Sequence, residues 1–89
     1  MKTNYEFVKR EIAGDAFLVP IGAAASVFEG IFTLNELGAF IFDHLEECAS
    51  PEDVARKIIA EYDTDYDSAL SDVKEFFASM AEIGVTVSS

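Results

Sequence analysis

Apolar positions change their spacing partway along the chain. Up to residue 33, Phe, Val and Ile come in short runs: in YEFVKREI, Tyr5, Phe7 and Lys9 fall on one side and Val8 and Ile12 on the other, and glycines at 14, 22 and 30 punctuate the sequence. Loosely alternating runs between turn residues predict strands, here over about 5–12, 16–21 and 26–33. AGD at 13–15 supplies the turn of a first hairpin. Pro20 has no amide to donate and belongs at a strand end or edge. ASVFEGIFTL reads as the third strand, with Gly30 permitting a bulge or the close approach of another backbone. Beyond it the period becomes helical. Leu34, Leu37, Ile41 and Leu45 recur with Phe40 beside them, then Val54, Ile58 and Tyr62, then Leu70, Val73, Phe76, Phe77 and Met80. This predicts helices over about 35–47, 51–62 and 66–83.

The helix starts carry capping signals. TLNE offers Thr33 or Asn35, SPED offers Ser50 with Pro51 at the first helical position, and DYDS offers Asp65 with Asp67 in the first turn. Gly84 stops the last helix, and VTVSS is a short extended end or a frayed tail. Three antiparallel strands followed by three helices make an α+β domain of winged helix-turn-helix-like type, a single domain over residues 1–89.

Composition narrows the function. At 89 residues the core is modest. One cysteine, Cys48, excludes an internal disulfide, and no apolar run reaches transmembrane length, so the expectation is a soluble, cytoplasmic protein. A net charge of −11 repels phosphate backbones and anionic lipid, which argues against nucleic acid or a membrane surface as partner. The third helix, with Asp67, Asp72, Glu75 and Glu82 against Lys74, has the wrong sign for reading a DNA groove.

Metal and catalytic chemistry find little footing. Asp63, Asp65 and Asp67 alternate as in a calcium loop, but the sixth position from Asp63 is Ser68, where glycine is needed. The twelfth is Lys74, where a bidentate glutamate is needed. Asp65 as a helix cap accounts for the pattern instead. His44 and Cys48 lie four residues apart with no third group to orient them, and no glycine-rich phosphate loop or carboxylate pair is evident. The expectation is no catalytic residue, no metal and no cofactor.

FLVPIG, then GIFTLNELGAFIFDHL, then SPEDVARKIIAEYDTDYDSALSDVKEFFASMAEIG resemble the PqqD family, from about Tyr5 to Gly84. TLNE before an apolar helix is the most telling piece, and EYD followed by DVKEFF supports it. The resemblance implies a peptide-binding module for the leader peptides of ribosomally made, post-translationally modified peptides. The leader would pair with the third strand, between it and the third helix, and be presented to a maturase, usually a radical SAM enzyme. Carried onto this chain, the implied peptide-binding residues are Val27, Phe28, Ile31, Phe32 and Thr33 on the strand, and Val73, Phe76, Phe77 and Met80 on the helix. Strand addition suits an open sheet edge with apolar pockets beside it. Val73 and one phenylalanine are expected to serve the core. Adjacent helical residues point about 100° apart, which leaves the other, expected to be Phe76, for the peptide. The rival readings are a winged-helix DNA-binding regulator and an assembly subunit that binds a protein partner but no peptide.

Overall fold

The computed structural model describes residues 1–88. Its elements run β1 (Lys2–Thr3), β2 (Phe7–Ile12), β3 (Asp15–Pro20), α1 (Ala23–Val27), β4 (Phe32–Leu34), α2 (Glu36–His44), a 3₁₀ turn (Leu45–Glu47), α3 (Pro51–Glu61), α4 (Tyr66–Glu82) and β5 (Val87–Ser88). The architecture is α+β, with a three-stranded antiparallel sheet in the order β2-β3-β4 and a two-stranded pair, β1-β5. The chain gathers into two compact units: Tyr5–Ala39, and Met1–Asn4 together with the residues from Phe40 onward.

In the first unit, β2 and β3 form a hairpin closed by the pair Ile12 and Asp15. The two turn residues between them, Ala13 and Gly14, both have positive φ, 53° and 86°. That is the pattern of a type I′ turn, whose twist matches that of the flanking strands. Cross-strand pairing puts Lys9, Leu18 and Phe32 on one face of the sheet and Arg10, Phe17 and Thr33 on the other. Leu18, Ala16 and Phe7 on the first face are buried, while Arg10, Ile12 and Thr33 on the second are exposed. Burying a leucine such as Leu18 contributes about 1.5–3 kcal/mol, so the first face carries this unit's core.

The third strand differs from the one expected over 26–33. Ala23–Val27 is helical and the strand is confined to Phe32–Leu34. Three successive alanines, the strongest helix formers, outweigh the strand preference of Val27. Gly30 then takes φ 77°, a left-handed conformation that no ladder residue adopts and that glycine reaches without steric cost. The remaining expected boundaries hold to within about two residues, except that the first long helix ends in the 3₁₀ turn at Leu45–Glu47.

In the second unit, α3 and α4 pack against each other, with Val54, Ala55 and Ile58 of α3 and Ala69, Val73 and Met80 of α4 buried. The expected caps are in place. Ser50 Oγ accepts from the Asp53 amide at 3.3 Å, with Pro51 at the first helical position. Asp65 Oδ1 accepts from the Ser68 amide at 2.7 Å, and its other oxygen accepts from the Ser68 hydroxyl at 3.2 Å. Asp65 is thereby held below the usual carboxylate range, chiefly by the Ser68 amide. In the first unit Asn35, not Thr33, caps α2, through the Gly38 amide at 2.7 Å. α4 ends in a Schellman motif: Val85 N–H donates to Met80 C=O at 2.9 Å and Gly84 N–H to Ala81 C=O at 3.0 Å, with Gly84 at φ 91°. Among the described residues no helix is long and apolar enough to cross a membrane.

Candidate functional site

The three-stranded sheet has two outer edges, β2 and β4, and each exposes a row of main-chain groups able to pair with another strand. The edges differ in chemistry. β2 carries Lys9, Arg10 and Glu11. Lys9 lies on the same face as Leu18, its side chain only 18% exposed and 3.8 Å from Glu11. Charged residues on an edge strand, above all an inward lysine, discourage pairing because an incoming strand would bury them. β4, Phe-Thr-Leu, carries no charge.

Beside β4 lies an aromatic cluster. Phe28 is its centre, with ring centroids 5.1 Å from Tyr5, 5.6 Å from Phe7 and 5.5 Å from Phe32, and Phe7 is 6.1 Å from Phe32. Tilted and edge-to-face contacts of this kind add about 0.5–1.5 kcal/mol each beyond burial, so the segment from α1 to β4 is anchored although it is mostly irregular. Val27 and Ile31 at either end of that segment are 54% and 51% exposed. The structure thus joins Phe28 and Phe32 in one cluster and leaves Val27, at the end of α1, and Ile31, immediately before the uncharged β4, as exposed apolar side chains. Val27, Phe28 and Ile31 are not strand residues, contrary to expectation; Phe32 and Thr33 are. Tyr5, just before β2, and Phe7, its first residue, join the cluster although neither belongs to the expected peptide-binding set.

On α4 the expected residues separate by burial. Val73 and Met80 are buried, so they serve the core and offer no surface to a ligand. Phe76 and Phe77 are both half-buried, with ring centroids 6.3 Å apart. The expected division, one phenylalanine in the core and one outside it, is replaced by two rings sharing a partly exposed position.

The polar groups weighed for catalysis are otherwise engaged. His44 Nδ1 meets Glu47 Oε1, and Lys57 Nζ lies 3.1 Å from the same oxygen. The hydrogen bond from His44, with that from Lys57, holds the Glu47 carboxyl below its ordinary range. The His44 ring also lies 4.3 Å from that of Phe40. Cys48 is buried, and burial pushes its thiol up, which keeps it protonated and a poor nucleophile.

The structure is similar to that of a protein solved as TbiB1 in complex with the TbiA(beta) leader peptide. The TM-score is 0.69 at 27% sequence identity, over 92% of this chain and 90% of that one. No curated protein sequence matches the chain significantly. A family model, described as coenzyme PQQ synthesis protein D (PqqD), matches residues 21–85, from the turn before α1 through the end of α4. With α1, the β4 edge and all three longer helices inside that span, the chain belongs to the PqqD family.

Proposed function

We propose that this protein binds the leader peptide of a ribosomally made precursor as an added strand on β4 and presents it to a partner maturase. The observation that carries the reading is the contrast between the two sheet edges: β2 is guarded by Lys9, Arg10 and Glu11, whereas β4 is uncharged and directly preceded by the exposed Ile31. Main-chain pairing at such an edge supplies affinity, and neighbouring apolar groups select side chains. Family membership supports the reading, as does the likeness to a protein solved with a leader peptide bound. The role is one of binding, not catalysis, in the cytoplasm, and the family resemblance makes a radical SAM enzyme the expected class of maturase.

A titration of isotope-labelled protein with a synthetic leader, taken from a short precursor encoded beside the gene, tests it. Binding of micromolar order, about −8 kcal/mol, should shift amides of Ile31, Phe32, Thr33 and Leu34. Shifts clustered on α3 around Arg56 and Ile59, with β4 silent, would overturn strand addition.

A further inference from the structure

We infer that the strand taken at β4 is cationic, carrying a lysine or arginine on each side of a short apolar segment. The inference rests on strand addition at β4 and adds to it the charge pattern of the ligand. From Glu11 to Ala55 the sequence contains no lysine or arginine, and acids bracket β4 on both sides. Glu29 lies two residues before Ile31 and Glu36 two residues after Leu34, and both are exposed. Among the described residues neither takes part in an ion pair. Glu36, in the first turn of α2, is favoured there by the helix dipole. Glu29 stands outside any helix and has no such reason for its place.

The nearest positive charges of the same unit compensate weakly. Lys9 is beside Glu11, and Arg10 sits two strands from Thr33, roughly 10 Å at the usual strand spacing. Because acid stands at both ends, the pattern demanded of the ligand is the same whether it runs parallel or antiparallel to β4. Six residues separate Glu29 from Glu36, so the two cations fall within about seven positions of one another along an extended partner. Between them, the exposed Ile31 offers apolar contact to the partner.

The test is selection from a displayed library of random 15-residue peptides, against the wild-type protein and against the double variant Glu29→Lys, Glu36→Lys. The wild type should enrich peptides with Lys or Arg on both sides of an apolar segment, and the variant should enrich Asp or Glu there. Replacing both cations of the best wild-type binder by Gln should weaken its binding about 2- to 10-fold at low salt, with the difference vanishing at high salt. Enrichment of neutral or acidic peptides by the wild type, or the same preference in both proteins, would overturn the cationic pattern while leaving strand addition standing. No enrichment by either would overturn strand addition and this inference with it. A peptide-free dimer that selected peptides dissociate would assign the edge to a second copy and overturn it too.

Discussion

Asn4 and Thr86 hold each other twice. The Asn4 amide donates to the Thr86 carbonyl at 3.0 Å, and the Thr86 amide donates to Asn4 Oδ1 at 2.9 Å, while Asn4 Nδ2 reaches the Gly84 carbonyl at 3.1 Å. One side chain thus continues the β1-β5 pairing for which the strands are too short, and it ties residues 1–4 to the end of α4. Asn4→Ala removes both side-chain bonds. At about 0.5–1.5 kcal/mol per net hydrogen bond, and in a position open to water that can replace them, the expected loss is ~1 kcal/mol. The midpoint of urea unfolding should fall while the slope stays unchanged. Hydrogen exchange at the Thr86 amide should accelerate more than exchange in α3.

Ala13 takes φ 53° in the hairpin turn, a conformation costing an alanine about 1–2 kcal/mol. Type I′ turns favour Asn at this position with Gly after it, and Gly14 is already there. Ala13→Asn should therefore stabilise the fold, by ~1 kcal/mol. A thermal melt checks this. A lower melting temperature would mean that the turn relaxes to another type in solution.

The local elements were readable because their signals are local. Ser50 before Pro51, Asp65 three residues before Ser68 and the Ala13-Gly14 pair each act within four residues, and each does in the structure what its chemistry implies. VTVSS reads as a short extended end, and Val87–Ser88 is one, but its pairing with β1 gave no such signal, since Lys2 pairs with Ser88 across the length of the chain. Among the site residues, Phe32 and Thr33 were placed on a strand correctly, whereas Val27 and Phe28 were not. The segment's strand preference was real, but the alanines before it and Gly30 within it decided the backbone. On α4, helical periodicity marked Val73, Phe76, Phe77 and Met80 alike. A period shows that residues share a face; it does not show whether that face meets the core or a ligand, and burial distinguishes Val73 and Met80 from the two phenylalanines.

Asp65 links stability to pH. Its carboxyl is held low in the folded state by the Ser68 amide and hydroxyl, so the folded pKa lies below the unfolded value of about 3.9. The stabilisation is complete above that value and disappears as the pH falls through the folded pKa. Asp65→Asn keeps a capping oxygen but does not titrate, so between pH 5 and 2 the melting temperature of this variant should fall less steeply than that of the wild type. Asp65→Ala loses the cap and should melt lower even at pH 7. Equal acid slopes for wild type and Asp65→Asn would remove Asp65 from the linkage. Calcium at millimolar concentration should leave the wild-type melting temperature unchanged, since Asp65 is committed to Ser68 and Lys74 occupies the twelfth position.

A proline scan of β4 separates its two sides. In an antiparallel ladder, residues alternate between those whose N–H and C=O both face the partner strand and those whose groups both face away. Phe32 and Leu34 therefore share one orientation and Thr33 has the other. Proline removes the amide and restricts the backbone. In the orientation facing β3 it breaks a sheet bond and should lower stability, while in the orientation facing outward it should leave the sheet folded and deprive an incoming strand of a bond. The expected outcome is one parity that destabilises and one that stays folded yet loses leader binding by tenfold or more, with circular dichroism as the check on the fold. Ile31→Pro, just outside β4, should weaken binding less than the outward-facing substitution, because Ile31 contributes an exposed side chain and no place in the ladder. If the folded variants of both parities bind the leader with wild-type affinity, β4 is not where the peptide adds.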